Sequence, residues 1–195
     1  MTRRPAALVS TFRIPSPLGP LTLVARAEGL AGVYMAGQAH APPRRASWVD
    51  DAAPFDDVRR QLDEYFAGER TRFELRLAPE GTPFQRRVWD ALLAIPHGET
   101  ISYGELARRV GLGPGGARAA GQANARNPLS IVVPCHRVVA ADGSLTGYAG
   151  GEDRKRWLLD QERAQLAVRY RSTMSVSSSA ASRARADSSS ASTAA

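Results

Sequence analysis

The chain has 195 residues, 43% of them hydrophobic, a formal net charge of +7 and a single cysteine. That length holds one large domain or two small ones with a real core. No apolar run approaches a membrane span, and Met1-Thr2-Arg3-Arg4-Pro5 lacks the apolar stretch and cleavage site of a signal peptide. One cysteine excludes an internal disulfide and points to a reducing, cytoplasmic setting. With three scattered histidines (His40, His97, His136) it leaves no ligand set for a closed zinc site, so neither metal nor cofactor is expected.

The charge is unevenly spread. Asp50, Asp51, Asp56, Asp57, Asp63, Glu64 and Glu69 crowd the first half, whereas Arg86, Arg87, Arg108, Arg109, Arg118, Arg126, Arg137, Arg154, Lys155 and Arg156 crowd the region around the cysteine. A polyanionic partner would meet the second half.

In chain order, residues 8–14, 21–26 and 31–35 predict short strands, with turns at Gly19-Pro20 and Glu28-Gly29. The stretch from Gln38 to Asp51 lacks periodicity and reads as a loop. Val58, Leu62, Tyr65 and Phe66 recur at helical spacing, with Gly68 placed to end the helix. Phe73, Leu75 and Leu77 alternate as a half-buried strand would. This unit, residues 1–78, offers no chemistry of its own and reads as scaffold.

A second unit, residues 79–171, begins at Pro79. Thr82-Pro83-Phe84-Gln85 is a capping box with proline in the first turn, predicting a helix from Pro83 to about Ala94 that Ile95-Pro96 ends. Ser102-Tyr103-Gly104-Glu105 repeats the pattern and starts a short helix that stops at Gly111. A third helix runs through Arg118 to about Arg126, so the pair predicts a helix-turn-helix. The glycines from Gly111 to Gly116 are not a phosphate loop, because no Gly-Lys-Ser/Thr follows.

The third helix is built of Gly116, Ala117, Ala119, Ala120, Gly121, Ala123 and Ala125, with Arg118 among them. Such small residues suit either a helix packed closely on a neighbour or one slim enough for a minor groove about 6 Å wide. Beyond it, Ile131-Val132-Val133-Pro134-Cys135-His136-Arg137-Val138-Val139 flanks the cysteine with β-branched residues, predicting a stiff, buried segment. The adjacent imidazole and cation would lower the thiol pKa toward a reactive thiolate. Ala141-Asp142-Gly143-Ser144 reads as a turn and Thr146-Gly147-Tyr148-Ala149-Gly150-Gly151 as a glycine-rich loop. A last helix starts near Glu152, with Trp157, Leu158 and Leu159 on its buried side. From Ser172 onward the Ser/Ala-rich chain cannot bury enough to order itself and reads as a disordered tail, 172–195.

Pro134-Cys135-His136-Arg137 resembles the acceptor-cysteine motif of the O6-alkylguanine-DNA alkyltransferases (methylated-DNA–protein-cysteine methyltransferases). So do Gly81-Thr82-Pro83-Phe84-Gln85 with Val88-Trp89, Ile101-Ser102-Tyr103, Asn127-Pro128, Gly147-Tyr148-Ala149-Gly150-Gly151 and Trp157-Leu158-Leu159. Ser16-Pro17-Leu18-Gly19 is similar to the family's N-terminal hairpin. The resemblance spans most of residues 8–165. It implies an α+β fold: a small ribonuclease-H-like sheet-and-helix domain followed by a mostly helical DNA-binding domain with a helix-turn-helix.

It also implies roles. Cys135 would accept the alkyl group, His136 would deprotonate it through a water, Glu162 would orient the imidazole and Asn127 would brace the network. Arg118 would fill the space left by a flipped nucleotide, with Gln85 and Arg126 also on the DNA. Tyr103 would offer its hydroxyl to the base, the backbone at Ala149 would approach O6, and Tyr148, Gly150 and Lys155 would line the pocket. The partner would be double-stranded DNA carrying O6-alkylguanine, with O4-alkylthymine as a further candidate lesion, met through the minor groove by a monomer. The product would be a thioether, so each molecule would act once.

Three alternatives keep distinct signatures. A helix-turn-helix regulator with a structural cysteine would bind DNA sequence-specifically and be indifferent to Cys135→Ala. A thiol hydrolase using Cys135, His136 and Glu162 would turn over on esters or peptides. An alkyltransferase-like lesion binder would lack the acceptor cysteine that this chain has.

Overall fold

The computed structural model describes residues 8–171 apart from Arg169, so the expected tail from residue 172 lies outside the described residues. Strands β1 (Val9–Ile14), β2 (Leu21–Arg26), β3 (Gly29–Met35) and β4 (Trp48–Asp50) form one sheet in the order β3-β2-β1-β4. β1–β2 and β2–β3 are antiparallel hairpin pairs, and β4 lies parallel to β1. Helix α1 (Asp56–Ala67) follows, buries Val58, Leu62 and Tyr65, and ends at Gly68, whose φ of +84° suits a residue without Cβ.

Two expectations for this half need correction. The loop expected between Gln38 and Asp51 contains β4, too short to show alternation. The strand expected over Phe73, Leu75 and Leu77 is an extended segment that touches the sheet only at Leu77, through a bridge to Leu30. The outer edge of β3 is shared by two segments, which is why neither extends. Leu30 exchanges backbone hydrogen bonds with residues 76 and 78, and Val33 exchanges them with Pro128 and Ser130.

The second half holds α2 (Pro83–Leu93), α3 (Tyr103–Arg109), α4 (Ala117–Ala125) and a last helix, α5, over residues 152–168. Both halves of the capping box form at α2: Thr82 Oγ1 accepts from Gln85 N–H, and Gln85 Oε1 accepts from Thr82 N–H. At α3 only Ser102 caps, because Glu105 turns outward to Arg108 and Arg109. Strands β5 (Ile101–Ser102) and β6 (Val138–Val139) pair in parallel and tie α3 to the cysteine segment.

α4 buries Ala120, Ala123 and Asn124, and Trp89 Nε1 of α2 donates to the Ala123 carbonyl at 3.0 Å. Its outer face presents Arg118, Gln122 and Arg126, four residues apart and all exposed. The small side chains therefore serve close packing on one side and leave a thin, basic ridge on the other. One continuous apolar core runs through both halves, from Leu21, Leu23 and Val33 to Leu92, Leu129, Ile131 and Leu158. On α5, Leu158 and Leu159 are buried as expected. Trp157 is 37% exposed, because its ring lies edge-on to Phe66 at the rim of the core.

Candidate active site

Residues 127–139 are buried without a break. The segment is not a strand until β6: a turn over 129–134 leads into a 3-10 turn, Cys135–Arg137. Ile131 within that turn has φ of +73°, rare for a β-branched residue, and its side chain is held in the core. Asn127, at the C-terminal exit of α4, fixes the turn from inside. Its Oδ1 accepts from Leu129 N–H at 3.0 Å, while Nδ2 donates to the Val133 carbonyl at 2.8 Å and to Cys135 Sγ at 3.0 Å. Asn124 of α4 adds a bond from Nδ2 to the Cys135 carbonyl at 3.3 Å. That residue escaped the sequence reading. A single buried polar position in a helix of alanines was its only signal.

Behind the cysteine lies a closed set of charges. Glu162 of α5 is fully buried. Its Oε1 accepts from His136 Nε2 at 2.9 Å, Arg137 Nη2 at 2.9 Å and the Tyr65 hydroxyl at 2.7 Å. Its Oε2 accepts from Arg137 Nε and from Gly98 N–H, both at 2.9 Å. Arg137 also donates to the Ile95 carbonyl at 2.7 Å. Burial alone would raise the Glu162 pKa. The hydrogen bonds from His136 and Arg137, with the Arg137 charge, overcome this and hold the carboxyl far below the usual carboxylate range.

An ionised Glu162 fixes the imidazole tautomer. Nε2 must carry the proton it donates, so neutral His136 has its lone pair on Nδ1, a buried atom with no hydrogen-bond partner among the described residues. Burial pushes the His136 pKa below its ordinary 6.5 and outweighs the pull of Glu162, with Arg137 and Lys155 adding to the fall. Burial also pushes the Cys135 thiol above its ordinary 9, against the opposing effects of Asn127, the local backbone, Lys155 and Tyr148. The expected thiolate is therefore not the resting form. The site rests as a neutral thiol beside a neutral base.

The glycine-rich loop is anchored from both halves of the chain. The Ala149 carbonyl accepts from Ala39 N–H at 3.0 Å. Arg154 of α5 donates to the carbonyls of Leu18, Ala36 and Gly150. A Cβ on Gly150 would stand 2.7 Å from both Met35 Sδ and the Tyr148 ring, so only glycine fits. Tyr148 is buried, and its hydroxyl is coupled electrostatically to Cys135. The Thr146 carbonyl accepts from the Tyr103 hydroxyl at 3.1 Å and from Lys155 Nζ at 3.2 Å. Lys155, the only lysine in the sequence, is fully buried on α5, and burial lowers its pKa to about 8.

The structure thus brings Cys135, His136, Asn127 and, from α5, Glu162 and Lys155 together, with Tyr148, Ala149 and Gly150 on the glycine-rich loop and Tyr103 reaching that loop from the start of α3. Arg118 and Arg126 stand apart on the exposed ridge of α4. Gln85 has its Oε1 occupied in the α2 cap. Sequence reasoning assigned Arg137 to the thiol, whereas it donates to Glu162, and it missed Asn124 and, from the half read as scaffold, Tyr65.

Known proteins resemble this chain along most of its length. Residues 83–164 match the family model of the 6-O-methylguanine DNA methyltransferase DNA-binding domain, and residues 11–79 match that of its ribonuclease-like domain. The methylated-DNA–protein-cysteine methyltransferase of Mycobacterium bovis is 51% identical over 152 residues, covering 78% of this chain and 91% of that protein. Its namesake in Methanosarcina acetivorans is 51% identical over 148 residues, covering 75% and 94%. The crystal structure of Mycobacterium tuberculosis OGT in complex with DNA aligns with a TM-score of 0.75 at 49% identity, across 80% of this chain and 94% of that one. With both domain models matched in order and the buried cysteine inside the second, this chain belongs to the methylated-DNA–protein-cysteine methyltransferase family.

Proposed function

We propose that this protein repairs DNA by moving the alkyl group of O6-alkylguanine onto Cys135 Sγ, once per molecule. The observation that carries the reading is the buried thiol held by Asn127 beside a neutral His136 that Glu162 orients. Within the family named above, such a group is the alkyl acceptor.

The chemistry follows from the resting state. His136 Nδ1 takes the thiol proton through an intervening water. The S–C bond then forms as the C–O6 bond breaks, and guanine leaves with the electron pair. That leaving group needs a proton or donors to meet its charge. Tyr103 is placed to donate, since its hydroxyl can turn from the Thr146 carbonyl to the base while Lys155 keeps that carbonyl hydrogen-bonded. The proton lost by sulfur ends on guanine by way of His136 and solvent, so the step balances. The thioether cannot be readily hydrolysed, which makes the reaction stoichiometric.

O6 of a stacked guanine is out of reach, so the nucleotide must rotate out of the duplex at a cost of a few kcal/mol. Arg118, at the N-terminal end of the thin α4 ridge, fills the space it leaves. Gln122 and Arg126, one and two turns further on, meet the backbone, and the slender ridge fits the minor groove. A monomer suffices, because every group invoked comes from one chain. Intact-mass measurement after incubation with duplex DNA carrying O6-methylguanine tests this. One added methyl per molecule, absent in Cys135→Ser, is expected; turnover by catalytic amounts of protein would overturn it.

A further inference from the structure

We propose that Tyr65, from the half of the chain that carries the sheet, is a positioning residue for alkyl transfer: its hydroxyl sets how much of the Glu162 charge reaches His136. The inference rests on the reading that Glu162 and His136 serve Cys135. Three facts carry it.

The Tyr65 hydroxyl donates at 2.7 Å to Oε1, the same carboxylate oxygen that accepts His136 Nε2 at 2.9 Å. The other oxygen has its own donors in Arg137 Nε and Gly98 N–H. Tyr65 is fully buried, and its ring is fixed against Phe66, Phe73 and the His97 ring, so the hydroxyl has one place to go. Burial and the neighbouring Glu162 charge keep the phenol protonated, so it is a donor at every working pH.

A donor on a carboxylate oxygen stabilises the anion and lowers its affinity for protons. Oε1 also accepts from Arg137 Nη2 at 2.9 Å, and with the phenol added to that donor it pulls less on the imidazole proton than it would without Tyr65. His136 therefore stays neutral to lower pH, with its Nδ1 lone pair available to the thiol. The other charged or titratable groups facing this pair are Arg137 on the 3-10 turn, His97 after α2, whose Nδ1 lies 3.7 Å from Oε1, Lys155 on α5 and Tyr148 on the glycine-rich loop. None of them comes from the first half of the chain. Packing accounts for the ring of Tyr65. It does not account for a hydroxyl aimed at the oxygen that His136 uses.

The test is the pH dependence of single-turnover methyl transfer from O6-methylguanine duplex. It compares wild type, Tyr65→Phe, the chain with 3-fluorotyrosine at position 65, and Glu162→Gln. Tyr65→Phe keeps the ring and removes the donor. We expect its acidic limb to move up by about half to one pH unit and its rate near that limb to fall about three- to tenfold. DNA affinity should hold, while the melting temperature should fall by several degrees, as the loss of a buried donor to a carboxylate requires. The fluorinated phenol, a stronger donor, should move the limb down. Both substitutions tracking the wild-type profile would reduce Tyr65 to packing and overturn the proposal while leaving the relay intact. Should Tyr65→Phe fail to fold, the direction of the fluorotyrosine shift decides alone. Glu162→Gln transferring like wild type would instead overturn the relay itself, and this proposal with it.

Discussion

Lys155 shows how one buried charge can be tolerated for function. A lysine at full burial loses its hydration, and its lowered pKa of about 8 records that cost. What it supplies is a cation near Cys135 and a second donor to the Thr146 carbonyl. Lys155→Met should therefore slow methyl transfer about tenfold, since the thiol loses a charge that favours its ionised form. The same substitution should stabilise the fold at pH 7 by about 2 kcal/mol. The sign of the linkage gives a further check. The folded-state pKa lies below the ordinary 10.5, so between pH 8 and 10.5 the unfolded chain binds more protons and wild type gains stability as pH rises. The advantage of Lys155→Met should shrink across that window in denaturant titrations. An advantage independent of pH would show that Lys155 is not the group responsible. The family resemblance put Lys155 at the pocket, but no local pattern predicted its burial: between Arg154 and Arg156, a lysine on an amphipathic helix reads as a solvated residue.

At the scale of elements, α4 shows two faces with separate duties. The inner one is fixed by Trp89, Asn124 and Asn127, and the outer one bears Arg118, Gln122 and Arg126. The reading of α4 as a base-extruding ridge makes Arg118 dispensable for the chemistry and needed for the duplex. Arg118→Ala should slow repair of duplex O6-methylguanine about a hundredfold, the rate equivalent of a few kcal/mol of unstacking. Alkylation of Cys135 by free O6-benzylguanine should proceed at the wild-type rate. Equal losses on both substrates would mean that the substitution damages the cysteine turn. Elements were the most legible level of the sequence. The capping boxes at Thr82 and Ser102, the glycine stop at Gly68 and the helical spacing of Val58, Leu62 and Tyr65 are local signals, and each produced its helix. The segment Phe73–Leu77 misled because alternation reports a half-buried chain, whereas strand pairing also requires a vacant partner edge. That edge is shared: Phe73–Leu77 reaches it only at Leu30, and the segment around Leu129 takes it at Val33.

For the molecule as a whole, the two halves meet across the charged site as well as through the core. Cys135 and His136 are neighbours in sequence, so their proximity could be read directly. Tyr65 and Glu162 are 97 residues apart, and no local pattern announces such a contact. The role of Glu162 came from family resemblance, and its burial among Tyr65, Arg137 and Gly98 came only from the fold. This buried set also governs acid stability. The folded-state pKa of His136 is depressed below 6.5 and that of Glu162 lies far below the ordinary 4.5. In both cases the unfolded chain takes up protons first. Stability should therefore fall as pH drops below about 6.5 and fall further through the carboxylate range. Thermal midpoints measured from pH 8 to 4 check this, and a flat curve would contradict it.

The outer margin of β3 receives residues 76–78 at Leu30 and residues 128–130 at Val33. Hydrogen-bonding groups that would otherwise stand open to another chain are consumed by these two segments, the second of which leads into the cysteine turn. Any motion large enough to unseat that turn from Val33 would uncover raw strand backbone next to apolar core, a surface prone to intermolecular sheet formation. Loss of the reactive geometry and loss of solubility are thus coupled at a single seam, and a damaged copy would tend to precipitate before it could persist as an inactive, well-folded competitor for lesions.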